Sequence, residues 1–209
     1  MAQGKSKIIA ALSITILIFI IGFVLGNISF SNKLGVVQDL QNEIYSEALG
    51  FEVLFDLAED NLCDEESLAD INYQLTDFGE RIAYLEEKGK KVYAVQTLKN
   101  QYNSLEIKHF LLINKINKEC GNKYSTILYF YGSETECKTC LIQGLELSNT
   151  KSKNLDIMIY SFDYKSDFAP VRNLINRYGI EIVPTLIINE VKYEEYLTDT
   201  KLSELINSN

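Results

Sequence analysis

Cys137-Lys138-Thr139-Cys140 follows an apolar run, Tyr124–Tyr131 (YSTILYFY), and precedes Leu141–Leu147. The run reads as a buried strand and the following segment as a helix. A Cys-x-x-Cys at such a junction has a chemical consequence. The first thiol sits at the helix N-terminus, where unpaired N–H groups and the macrodipole favour a thiolate. The second lies one turn on, close enough to attack a mixed disulfide formed on the first. A strand, a turn and a helix must therefore be held in fixed register behind two sulfurs.

The remainder of the chain is long enough to do this. It has 209 residues, 46% of them apolar, which suffices for a core in one or two domains. The net charge of −9, without a Lys/Arg patch interleaved with aromatics, excludes nucleic acid as a partner. There are only two prolines, so each carries positional information.

Ile8 to Gly26 (IIAALSITILIFIIGFVLG) is uncharged and mostly apolar. A helix of that length crosses a bilayer core of about 30 Å. It is longer than a signal-peptide h-region, and Gly26-Asn27-Ile28-Ser29 is a poor cleavage site. The run is therefore expected to be an uncleaved membrane anchor over 8–26. Lys5 and Lys7 place residues 1–7 in the cytoplasm and everything beyond the anchor outside the cell membrane.

Three helical patterns over 32–119 follow. The first, about Ser31 to Asp60, carries Val37, Leu40, Ile44, Ala48, Phe51 and Phe55 on one stripe. Asp64 is placed to cap the second, which carries Leu68, Ile71, Leu75, Phe78, Ile82 and Leu85 and ends at Gly89. The third, from about Lys91 to Glu119, carries Val95, Leu98, Tyr102, Leu105, His109, Leu112 and Ile116. Alternating threes and fours predict an antiparallel, coiled-coil-like stalk running up, down and up. In that arrangement Cys63 and Cys120 lie at the same end, within the separation a structural disulfide needs. The other reading is two unrelated buried thiols, since connectivity is not given by spacing. His109 lies on the core stripe without a partner at i±4, which makes it a core histidine and not a metal ligand. No metal site is expected, because four cysteines without paired-knuckle spacing do not build a zinc centre.

From 122 to 209 the pattern is β-α-β-α-β-β-α. Strands are expected at Leu155–Phe162 and Leu186–Asn189, Asp167 and Pro170 open a helix that Gly179 ends, Asn189-Glu190 turns into a strand over Val191–Leu197, and Thr198 or Asp199 caps a last helix. Alternating strands and helices build a parallel sheet with an antiparallel hairpin at its edge.

These residues resemble the thioredoxin superfamily. The resemblance rests on the strand–Cys137-x-x-Cys140–helix junction, the β-α crossover, and Val183-Pro184-Thr185 ahead of a hairpin and terminal helix, over about 124–208. It implies a thioredoxin-like α/β C-terminal domain with Pro184 in cis against the dithiol. It also implies that Val183 and Thr185 lie where substrate binds, Val183 offering backbone groups to a peptide. The usual Trp-Cys-Gly-Pro-Cys is absent, the first β-α unit of the family is not evident, and the strand before the dithiol carries no acid. Phe110 and Ile113, off the stalk stripe, are candidates to cover the sheet in place of the missing unit. Glu134 and Glu136 are solvated loop acids in the simpler reading and proton relays in the sharper one.

The function expected from these readings is a membrane-anchored, extracytoplasmic thiol–disulfide oxidoreductase without cofactor. Cys137 is the nucleophile and Cys140 the resolving thiol, acting on thiol- or disulfide-bearing proteins and served by a redox partner. The alternative is a tethered, non-catalytic module in which the Cys-x-x-Cys is a static bridge. Haem attachment is excluded, since Leu141 and not His follows Cys140.

Overall fold

The computed structural model describes residues 14–23, 46–87, 92–121 and 123–207. The chain divides into two compact units, residues 1–49 and 50–209. In the first, 14–23 form an exposed helix, α1. Among the described residues no helix is long and apolar enough to cross a membrane. The expected single-pass anchor over 8–26 is overturned, and with it the transmembrane part of the fold class and the cell-membrane localisation derived from it. An apolar run measures hydropathy alone, and hydropathy does not itself make a spanning helix. Val37, Leu40, Ile44 and Gly89 lie outside the described residues.

In the second unit, helix α2 (46–60, its first turn at the unit boundary) is followed by α3 (Glu65–Glu87) and α4 (Val92–Cys120). Their apolar stripes face one another. Phe51, Phe55, Leu68, Ile71, Leu75, Phe78, Ile82, Val95, Leu98, Leu105, Leu112 and Ile116 are buried. Each such side chain contributes about 1.5–3 kcal/mol by leaving water. Phe51 lies tilted against Phe78 at 6.3 Å, and Phe78 and Tyr102 meet edge to face at 6.0 Å. Lys108 pairs with Glu52 and Lys115 with Glu59. Both partners advance by seven residues, so α2 and α4 run in the same direction. Asp64 Oδ1 accepts the Glu66 N–H at 3.4 Å, as a capping residue does.

Cys63 and Cys120 are joined in a disulfide with a Cα–Cα separation of 5.6 Å. It closes 57 residues, which in the chain-entropy view stabilises the fold by about 4 kcal/mol. Cys63→Ser with Cys120→Ser is therefore expected to lower the unfolding free energy by about 4 kcal/mol. Denaturant titration checks this, and an unchanged midpoint would mean the unfolded chain gains nothing when the bond is lost.

The sheet comprises β1 (Ser125–Tyr131), β2 (Ile157–Asp163), β3 (Thr185–Ile188) and β4 (Val191–Tyr193) in the order β2-β1-β3-β4. Helices α5 (Cys140–Lys153), α6 (Ala169–Tyr178) and α7 (Asp199–Asn207) connect or follow the strands. β1 and β2 are parallel, and the other pairs are antiparallel. Asn189 and Glu190 take positive φ, 46° and 71°, as a two-residue hairpin turn requires. β1 is buried from Thr126 through Phe130, since helices cover both faces. β2 starts two residues later than expected, because α5 runs to Lys153 and Leu155 remains in solvent. Phe168, not Asp167, precedes α6, with Pro170 in its first turn.

The Ser125 N–H bonds the Asp156 carbonyl and the Tyr164 N–H bonds the Tyr131 carbonyl. Even-numbered residues of β2 therefore point their backbone groups at β1, and 157, 159, 161 and 163 point theirs at the open edge. Side chains close part of that edge. Glu106 Oε1 accepts the Ser161 N–H at 3.2 Å, and Lys151 donates to the Ile157 carbonyl. Phe110 sets its ring against the edge of Tyr160 at 5.6 Å, and Ile113 is fully buried. Helix α4 thus packs along the open edge of β2.

Candidate functional site

The two cysteines lie where β1 gives way to α5. Cys137 and Cys140 are joined in a disulfide, Cα–Cα 5.4 Å. The helix begins at Cys140 with Thr139 as its N-cap, so Cys137 occupies the turn before it and not the helix itself. Three hydrogen bonds shape that turn. The Cys137 and Glu136 N–H groups both donate to the Ser133 carbonyl at 2.9 Å, and the Cys140 N–H donates to the Cys137 carbonyl at 3.4 Å. The Gly132 N–H points at Cys140 Sγ, 3.5 Å away. Both cysteines are only 5% exposed and share an apolar cluster with Ile127, Tyr129, Leu147 and Leu186.

Sequence reasoning missed Tyr129. Its hydroxyl donates to the Cys140 carbonyl at 2.6 Å, inside the core, and burial raises its pKa. The phenol so ties β1 to the first residue of α5. Its only sequence signal is its two-residue spacing from Tyr131 and Ile127 on one face of the strand. Tyr129→Phe is expected to cost about 1–2 kcal/mol, because a buried carbonyl loses its donor. Thermal unfolding of the oxidised protein checks this, and an unshifted midpoint would dismiss the tie.

Val183-Pro184 is a cis peptide bond. Pro184 is buried, and Val183 packs against the cluster that holds both sulfurs. A Cβ on Gly132 would come within 3.1 Å of Val183 Cγ2, so glycine allows this loop to close on the Val183 side chain. Thr185 is fully buried and donates its hydroxyl to the Ile182 carbonyl at 2.6 Å. Leu141 and Leu145 on α5 and Ile182 before the cis-proline are more than half exposed.

The charges near the dithiol are neutralised locally. Glu136 accepts from Ser133 N–H at 3.1 Å and Ser133 Oγ at 2.8 Å, and pairs with Lys165. The Lys165 bond, followed by those from Ser133, pulls its pKa down to about 2. Glu136 is accordingly a fixed carboxylate at neutral pH and holds no proton to relay. Glu134 and Lys138 are exposed. Cys63 and Cys120 belong to the helical part of the unit and take no place here. His109 is buried and hydrogen-bonded through Nδ1 to Tyr160 at 3.1 Å.

Fold and site together define a thioredoxin-like domain with a Cys-x-x-Cys disulfide ahead of its first helix and a cis-proline loop beside it. No protein-family model matches the sequence, and no curated protein does. Among solved structures it is similar to a thioredoxin-2 described as a component of malaria parasite protein secretion machinery, at 18% identity and a TM-score of 0.36. That match covers 41% of this chain and 84% of the other. Chloroplastic thioredoxin z matches at 18% identity and 0.36, over 46% and 86% of the two chains. A DsbF homologue from Corynebacterium diphtheriae matches at 13% identity and 0.30, over 42% and 73%.

Proposed function

We propose that the chain is a thiol–disulfide oxidoreductase working through Cys137 and Cys140. The observation that supports this reading is the disulfide in the turn before α5, with Val183-Pro184 packed on the same apolar cluster. A substrate thiolate attacks the Cys137–Cys140 bond at Cys137 Sγ. Cys140 leaves as a thiolate, and a second substrate thiolate displaces Cys137 to complete the substrate's disulfide. In the reverse direction Cys137 thiolate opens a substrate disulfide and Cys140 thiolate releases it. The exposed Leu141, Leu145 and Ile182 suit an extended protein segment with apolar residues near its cysteine, and Val183 offers that segment backbone groups.

The burial of both cysteines, 5% exposed each, favours a second reading in which the bond is a static bridge. Equilibration of the protein with glutathione buffers separates the two. A reduction potential of about −120 to −270 mV supports exchange chemistry, and one below about −300 mV supports the bridge.

A further inference from the structure

The loop that carries the dithiol is tied to the end of β2 through Lys165. The turn holding Lys165 is itself fixed on the sheet. The Tyr164 N–H bonds the Tyr131 carbonyl at 2.8 Å, the Lys165 N–H bonds Asp163 Oδ1 at 2.8 Å, and the Ser166 N–H bonds the Asp163 carbonyl at 3.0 Å. The Lys165 ammonium pairs with Glu136 Oε1. The other oxygen, Oε2, accepts the Ser133 N–H at 3.1 Å and the Ser133 hydroxyl at 2.8 Å. The Ser133 carbonyl in turn accepts the N–H groups of Glu136 and Cys137, both at 2.9 Å. A continuous run of contacts thus leads from Lys165 to the amide of Cys137. Gly132, one residue before Ser133, aims its N–H at Cys140 Sγ, and a Cβ there would stand 3.4 Å from Glu136 Oε2.

Glu136 immediately precedes Cys137. A carboxylate so placed disfavours a thiolate on its neighbour, and an ammonium paired with that carboxylate offsets the effect. The pair adds little to stability, because the Lys165 side chain is 66% exposed and that of Glu136 30%. Its consequence is for reactivity, since the thiolate and not the thiol is the nucleophile. The other titratable groups on the elements around Cys137 are Glu134 and Lys138 on the same loop, Tyr129 and Tyr131 on β1, Asp163 at the end of β2, and Glu181 before the cis-proline. Asp163 is turned to its own loop by the Lys165 N–H, and Tyr129 to the Cys140 carbonyl.

We propose that Lys165 is a positioning residue for the dithiol: it holds the Glu136 carboxylate on Ser133 and cancels its charge, and so keeps Cys137 nucleophilic. The proposal rests on the reading of Cys137 as the attacking thiol. Lys165 touches neither sulfur nor substrate in this role and acts through Glu136. Without it, the carboxylate keeps its Ser133 bonds and stands uncompensated one residue from the thiol. Without Glu136, the ammonium stands alone and the loop loses its side-chain clasp.

The test reads the thiol directly. The full chain is reduced with dithiothreitol, freed of it, and treated with iodoacetamide across a pH series. Cys137 thiolate displaces iodide, and peptide mass analysis separates its alkylation rate from those of Cys63, Cys120 and Cys140. Lys165→Met is expected to move the midpoint of the profile up by about half a unit, and Glu136→Gln down by about as much, the scale of one exposed charge in water. Lys165→Arg should keep the parent midpoint, and the double variant of Lys165→Met with Glu136→Gln should return close to it. Both single shifts should shrink at high salt, where exposed charges are screened. A merely structural pair would shift unfolding and leave this profile in place. Three results would overturn the proposal: an unmoved midpoint in Lys165→Met, a Lys165→Arg shift as large as that of Lys165→Met, or shifts of the same sign in Lys165→Met and Glu136→Gln. The profile is measured on the reduced thiol, so it is decided separately from the glutathione potential that tests exchange.

Discussion

Cys140→Ser is expected to convert the protein into a trap. With the resolving thiol gone, an adduct formed at Cys137 persists and runs as a higher-mass band on a non-reducing gel, cleared by dithiothreitol. Cys137→Ser should lower exchange with a disulfide-bearing protein by about three orders of magnitude or more, the scale on which nucleophile removal acts. The assignment rests on position. Cys137 lies in the turn ahead of α5, where helix N-terminal N–H groups favour a thiolate, with Thr139 Oγ1 4.0 Å from its sulfur. Cys140 is the first helical residue, and its sulfur lies within reach of the Gly132 N–H. An adduct in Cys137→Ser and none in Cys140→Ser would exchange the two roles. Adducts in neither variant, with activity absent from the parent as well, would leave the static bridge.

The second large effect concerns Glu106 and pH. Its folded-state pKa of about 8 exceeds the ordinary 4.5, chiefly through burial, which the Ser161 N–H only partly offsets. Between those values the folded chain holds a proton that the unfolded chain has released, so stability falls as pH rises. At about 1.4 kcal/mol per pH unit the loss over the window is about 5 kcal/mol, a large share of a domain's total. His109 acts oppositely. Its pKa is lowered from 6.5 to about 4, so its contribution grows as pH rises from about 4 to 6.5. The two slopes cancel from about 4.5 to 6.5, and the parent chain is expected to lose stability mainly between 6.5 and 8. Glu106→Gln removes only the first slope. The variant should match the parent near pH 4 and exceed it by about 5 kcal/mol near pH 9, as read by urea titration at each pH. A difference that does not change with pH would show that Glu106 is ionised in the fold. Tyr102 and Tyr160, which also face this region, keep their protons through the window because burial raises both, while burial lowers Lys151 from 10.5.

Local chemistry was legible in the sequence. Periodicity marked the stripes of α3 and α4, the Cys-x-x-Cys marked the strand-to-helix junction, Asn189-Glu190 marked the hairpin, and the up-down-up argument placed Cys63 near Cys120. These follow from side-chain spacing and backbone preference, which act over a few residues and are written in the chain directly. Hydropathy overreached at 8–26, because it scores apolar content alone, and no described helix is long and apolar enough to cross a membrane. What only the tertiary structure decided depends on residues brought together from afar. Glu106 looks like an ordinary charged residue of an amphipathic helix, and becomes a buried acid because β2 has an open edge whose Ser161 N–H lies 55 positions later. Tyr129 becomes a strut because the chain returns at Cys140. Burial sets the charge state of each group, and burial is a property of the assembled layers, not of any segment within them.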